Sequence, residues 1–148
     1  MKRLATIALL SLTVGCGGAT VVEDDGELRV ELRGNRIVIN QKIEFAHDSA
    51  EILESSYPIL DQVVAILEEH EEIYRVQVQG HTSTVGEDQH NMELSAARAE
   101  AIGTYLREHG VTQEVTSQGY GETYPLCQED TDACHARNRR VEFFVDSR

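Results

Sequence analysis

Between residues 28 and 39 apolar and polar residues alternate on both sides of Gly34-Asn35, in the stretch "LRVELRGNRIVI". Period-two alternation around a tight-turn dipeptide predicts a β-hairpin. "KIEF" continues as a strand or its end, and "AHDSAEI" reads as a polar loop entering a helix. From Pro58, which suits an early helical position, Ile59, Leu60, Val63, Val64, Ile66 and Leu67 form a stripe at helical spacing, predicting a helix to about residue 70. "YRVQVQGH" returns to period two: Val76 and Val78 face one way, Arg75, Gln77 and Gln79 the other, as in a half-buried strand. A second helix is expected over about 87–109, with Leu94, Ala97, Ala101, Tyr105 and Leu106 toward the core and Gly110 as its C-terminal stop. "VTSQGYG" reads as a short strand or extended turn. A helical turn follows over about 133–138, and "RRVEFFV" is the last strand.

The order β-α-β-α-β after a hairpin implies an α+β sandwich, its helices on one face of a mixed sheet. At 148 residues and 41% hydrophobic, the chain suits one domain with one modest core. Its formal net charge of −13 argues against nucleic-acid binding, which needs clustered lysine and arginine to neutralise phosphates. Catalytic patterns are also missing. There is no Gly-x-Ser-x-Gly elbow, no Walker loop, and no carboxylate in an obviously apolar context that would raise its pKa. A non-enzymatic protein without cofactor is expected.

The N-terminus reads as a separate unit. Met1-Lys2-Arg3 is a basic start and "LATIALLSLTVG" an apolar run too short to span a bilayer, as in a secretory signal covering residues 1–15. "LTVGCGG" then resembles a bacterial lipobox, with Thr13 a departure from the commoner leucine. The resemblance implies that Cys16 is diacylated and becomes the new N-terminus; an ordinary signal peptide with a chance cysteine is the alternative. Gly17 in place of aspartate points to the outer membrane. Buried acyl chains would hold the protein there, at roughly 0.8 kcal/mol per methylene. Residues 16–27 are small and acidic, a short tether, leaving the domain at 28–148.

Of three cysteines, lipidation of Cys16 leaves Cys127 and Cys134, an even pair in an exported protein. A disulfide closing "CQEDTDAC" is expected. A metal pair with His135 is the alternative, but no further ligand has a fitting spacing, so no metal site is assigned.

The remaining motifs are specific in combination: Gly80-His81-Thr82, Asn91-x-x-Leu94-Ser95-x-x-Arg98-Ala99, "GYGE", and Asn138-Arg139-Arg140-Val141-Glu142. With "IEFAHDSAEI" they make the chain resemble the OmpA-like C-terminal domain family, which includes peptidoglycan-associated lipoproteins, over about residues 43–145. The resemblance implies noncovalent binding of the peptide stem of peptidoglycan through the zwitterionic end of diaminopimelate. The family's arginine, which takes the carboxylate, is Arg98. The family's acid, which takes the ammonium, falls on position 83, and here that residue is Ser83. Thr82 would offer a hydroxyl or amide. Asn91 and Leu94 would line the groove, and the loop at His47-Asp48-Ser49 would present backbone amides to the stem. Glu87 or Asp88 are candidates for the missing charge.

Each assignment has a plainer counterpart. Arg98 is equally the type of residue that makes a structural ion pair, Asn91 a cap, Leu94 a core residue and His81 a satisfied structural histidine. Of Arg139 and Arg140, one is expected to pair with acids across the sheet. The sequence therefore implies an outer-membrane lipoprotein tethering the membrane to peptidoglycan from the periplasmic side. The rival is a protein-interaction module of an envelope assembly that has lost wall binding through Ser83.

Overall fold

A computed structural model describes residues 26–148. The signal segment, Cys16 and most of the tether lie outside the described residues. Five strands form one sheet in the order β1-β2-β5-β3-β4. They are β1 (Val30–Arg33), β2 (Arg36–Ile39), β3 (Ile73–His81), β4 (Glu114–Gly119) and β5 (Arg140–Ser147). β3 and β4 are parallel; the other pairings are antiparallel. The helices are α1 (Tyr57–Glu69), α2 (Asp88–Glu108) and α3 (Asp132–Asn138). This is the mixed α+β architecture that the periodicity predicts.

The hairpin β1-β2 pairs Arg33 with Arg36, so its loop is the two residues Gly34-Asn35. Gly34 has φ 59°, a left-handed value glycine adopts without a Cβ clash. "KIEF" does not continue as a strand. Only an isolated bridge, Phe45 to Ile52, closes the polar loop that follows.

The sheet sorts its residues by face. Ile37, Val76, Val78, Phe143 and Val145 are buried in one cluster with Ile59, Leu60, Val63 and Leu67 of α1 and Ile102 and Leu106 of α2. On the opposite face Arg75 bonds Asp146 at 2.7 Å, and the Arg36 guanidinium lies 4.6 Å from the Phe144 ring centre. Polar partners thus cover the face that none of the helices among the described residues covers.

α2 is rotated from the expected orientation. Its buried residues are Asn91, Ser95, Ala99, Ile102, Gly103 and Leu106; Leu94, Ala101 and Tyr105 are half-buried and Ala97 is exposed. The reason is close backbone approach. A Cβ on Gly80 would stand 2.2 Å from the Ser95 carbonyl oxygen, and one on Gly119 2.4 Å from the Ala96 nitrogen. The missing side chains let the helix sit directly on β3 and β4 through its serine-alanine face. Ser95 fits there because its hydroxyl is satisfied locally: it donates to the Met92 carbonyl and accepts from the Gly121 amide, both at 2.9 Å.

Candidate functional site

Three segments meet at the C-terminal end of β3. They are the loop leaving that strand (residues 82–87), the polar loop at residues 46–52, and the junction of α3 with β5.

β3 ends in His81, which is buried, stacks on Tyr120 with ring centres 5.4 Å apart, and places Nε2 3.2 Å from Oε2 of Glu142. The His81 ring is the main influence holding the Glu142 carboxyl down to about 2. Arg140 and Arg36 add to it and burial opposes it. Neither ring nitrogen of His81 makes a hydrogen bond of good geometry among the described residues, so the expected satisfied histidine is not what is seen: the ring is held by stacking on Tyr120 and by its approach to Glu142. Arg140 pairs with Glu142 along its own strand at 3.2 Å, while across the sheet Glu142 meets Arg36 of β2 and His81 of β3. The expected pairing of Arg139 or Arg140 across the sheet is therefore corrected: two residues apart on one strand, Arg140 and Glu142 project to the same face.

Beyond His81 the chain turns inward. Thr82 and Ser83 are both buried, and the Thr82 amide donates to the Gly121 carbonyl at 2.8 Å. The Thr82 hydroxyl has no hydrogen-bond partner among the described residues. Asn91, on the first turn of α2, holds this loop. Its amide nitrogen donates to the carbonyls of Ser83 at 3.2 Å and Val85 at 3.1 Å, and to Glu122 Oε2 at 3.3 Å. The Ser83 hydroxyl accepts from the Val85 amide and from Nη1 of Arg139, each at 3.5 Å. Glu87 and Asp88 are exposed at the start of α2.

The second loop is closed on itself. Ala46 donates to the Glu51 carbonyl at 2.9 Å, and Ser49 to the Ala46 carbonyl at 3.2 Å. Asp48 takes a positive φ of 47°, and its carboxylate meets His90 of α2 at 2.6 Å. That hydrogen bond is the main reason the Asp48 carboxyl titrates below its ordinary value. The Ser49 amide is thus committed, while the Asp48 amide makes no hydrogen bond among the described residues. The Ser49 carbonyl accepts from Nε of Arg98 at 2.9 Å, and the Arg98 guanidinium lies 5.0 Å from the Phe45 ring centre, within cation–π range.

Arg98 lines a cleft of about 210 Å³ with Phe45, Lys42, Glu44, Arg139 and Arg140. Among the described residues neither Arg98, Arg139 nor Lys42 forms an ion pair. Burial lowers the Arg98 pKa, and the charge of Arg139 lowers it further, against the raising effect of Asp48. Lys42 is lowered in the same way, first by burial and then by Arg139. A cluster of partly desolvated cations on an acidic protein is a ready receptor for an anion, above all for a planar carboxylate.

Of the residues expected from sequence, the structure brings Arg98, Asp48 and Ser49 together on one side and Thr82, Ser83 and Asn91 on the other. Arg139 connects the two. Leu94 is half-buried on α2, one turn before Arg98. Lys42, Phe45 and Arg139 were not expected at the site. Only the paired arginines of "NRR" offered a signal, and a junction between helix and strand places the first of them by backbone geometry alone. Cys127 and Cys134 form the expected disulfide, with Cα atoms 5.7 Å apart, so their sulfurs are not metal ligands. His135 instead meets Asp130 at 2.9 Å. Asn138 locks the disulfide loop to the start of β5 by accepting from the Leu126 amide at 2.8 Å and donating to the Cys127 carbonyl at 2.9 Å.

Known proteins resemble this chain in sequence and in fold. The peptidoglycan-associated lipoprotein of Legionella pneumophila is 32% identical over 109 residues, 73% of this chain and 61% of the relative. The outer-membrane lipoprotein YfiB of Pseudomonas aeruginosa is 28% identical, over 97% of this chain and 94% of its own length. The chain spans less than two thirds of the first curated relatives it matches. Among solved structures, the cell wall anchor of the T6SS from Pseudomonas aeruginosa superposes with a TM-score of 0.67 at 27% identity, covering 83% of this chain and 90% of that one. The model of the OmpA family matches residues 44–139, from the Phe45 loop through α2 to Arg139, and the chain belongs to that family.

Proposed function

We propose that this domain binds the peptide stem of peptidoglycan without covalent chemistry, and that lipidation of Cys16 ties it to the outer membrane with the domain in the periplasm. The observation that carries the reading is Arg98. Its Nε is braced on the Ser49 carbonyl, its face lies against Phe45, and no acid among the described residues pairs with it. A stem carboxylate on the free guanidinium edge makes charge-assisted bonds of about 1.5–3 kcal/mol. The unbonded Asp48 amide and the unpartnered Thr82 hydroxyl are further polar groups in the same region. The names of the Legionella and Pseudomonas relatives support both the wall and the lipoprotein parts of the reading. A weak single site suffices mechanically, because many anchored copies face one continuous polymer and gain avidity.

Sedimentation of the detergent-solubilised full chain with purified diaminopimelate-type sacculi tests the binding. The wild type is expected to sediment and Arg98→Ala to stay in solution; failure of the wild type to sediment overturns the proposal. Metabolic labelling with palmitate tests the anchor: label is expected on the wild type and lost in Cys16→Ser.

Ser83 favours a second reading, a protein-interaction module of the envelope. One neutral hydrogen bond from a hydroxyl is worth about 0.5–1.5 kcal/mol, less than an acid would give an ammonium. That reading is taken up if wild-type protein ignores sacculi and Ser83→Asp restores sedimentation.

A further inference from the structure

A second cleft, of about 580 Å³, lies between β2 and the α3–β5 junction. Its lining carries Arg36, Lys42, Arg137, Arg139 and Arg140 against a single acid among the described residues, Glu142. Arg36 and Arg140 already meet Glu142. Lys42, Arg137 and Arg139 form no ion pair among the described residues. The Lys42 ammonium donates to the Ala136 carbonyl at 2.9 Å, which brings it beside Arg137. On a chain of net charge −13, such a basic groove is a local exception that selects an acidic occupant.

The N-terminal part of the chain meets the fold at this groove. Asn40 and Gln41 line it, and both hold the first described residues: Asn40 donates to the Glu27 carbonyl at 2.8 Å and Gln41 to the Gly26 carbonyl at 3.1 Å. The next residues toward the N-terminus are Asp25, Asp24 and Glu23. Three extended residues reach about 10 Å, and Lys42 directly follows Gln41. Val22 and Val21 come behind the acids, and the groove offers half-buried Ile39 and Val141 for apolar contact. One exposed ion pair contributes little. Here three acids face three cations, and covalent attachment supplies an effective concentration on the order of millimolar.

We propose that Glu23-Asp24-Asp25 docks in this groove against Lys42, Arg137 and Arg139. Lys42, Arg139 and Arg140 also line the cleft of Arg98. Resting on the wall-binding reading, the docked acids then compete with a stem carboxylate for the shared cations, and binding of the wall releases the segment.

Carbodiimide cross-linking of the detergent-solubilised full chain tests the docking, because it joins a carboxylate to an amine in contact with it. Lys2 and Lys42 are the only lysines of the chain, so a link from Lys42 is unambiguous in a peptide map. Lys42 is expected to link to residues 23–25, with a yield that falls severalfold in high salt and in Arg137→Gln. No such link, or a yield indifferent to both changes, which reports proximity alone, overturns the docking. Sedimentation with purified sacculi tests the competition. Glu23→Gln/Asp24→Asn/Asp25→Asn is expected to bind about fivefold more tightly than the wild type. Equal binding overturns the competition and leaves the wall-binding reading standing. If no protein sediments, the wall-binding reading and the competition fall together, and cross-linking still decides the docking.

Discussion

Nε of Arg98 donates to the Ser49 carbonyl at 2.9 Å, so the arginine is held by the loop opposite its own helix. The bond fixes the plane of the guanidinium and leaves its terminal nitrogens for a ligand. Arg98→Lys keeps a charge but has neither the Nε brace nor the planar fork. It is expected to sediment with sacculi about tenfold more weakly than the wild type, with thermal stability little changed. Retention of full binding by the lysine variant would show that charge alone suffices.

Asn91 acts at one remove from any ligand. Its side chain gathers the carbonyls of Ser83 and Val85, and so sets the path of the loop that carries Thr82 and Ser83. Asn91→Ala leaves buried acceptors unmet and is expected to cost about 1–3 kcal/mol in denaturant unfolding. Wall binding should weaken although Arg98 is untouched. A variant as stable as the wild type would mean that water replaces the amide there.

The contrast between Asn91 and Ala97 shows what the pattern of residues reveals and what it conceals. Strand and helix order was legible because Val76 and Val78 alternate with polar neighbours and the α1 stripe repeats at helical spacing. The facing of α2 was not. Its inner surface is Asn91, Ser95 and Ala99 in the first half, which no hydrophobic count selects. What selects it is the absence of side chains on Gly80 and Gly119, a property of other segments. The site divides in the same way. Arg98 stood out through its motif, whereas Lys42 and Phe45 reach the cleft only because the loop before α1 folds over α2.

The Cys127–Cys134 disulfide closes a loop of sequence separation 7. Loop-closure entropy for so short a ring is about 2–3 kcal/mol. Replacing both cysteines by serine is expected to lower unfolding free energy by no more than that. Because Asn138 ties the same loop to the start of β5, the variant should also bind sacculi less well through displacement of Arg139. Unfolding and sedimentation measured on the same preparation would separate the two effects.

Acid should act through Glu142. Its folded pKa lies near 2, below the ordinary 4.5, so its ionised form stabilises the native state. That contribution is complete above about pH 4.5 and is lost as pH falls from there toward 2. Glu142→Gln is expected to be less stable than the wild type at neutral pH, with the gap between the two narrowing through that window. A gap independent of pH would assign the loss to packing rather than charge.

The sharpest structural prediction concerns Gly80. It lies on β3 next to His81, and a methyl group there would sit 2.2 Å from the Ser95 carbonyl oxygen, which is backbone and cannot rotate away. Gly80→Ala must therefore push α2 off the sheet. Overpacking of this kind costs about 1–3 kcal/mol or more. Arg98 is one turn beyond Ser95 on the same helix, so the displacement also carries the guanidinium away from the Ser49 carbonyl. Gly34→Ala is the control, since a methyl group there meets nothing within 4 Å and strains only the hairpin turn at φ 59°. It is expected to cost about 1 kcal/mol and to leave sedimentation unchanged. If Gly80→Ala unfolds like the control and still sediments, α2 is not seated on β3 through its backbone, and the placement of Arg98 needs another explanation.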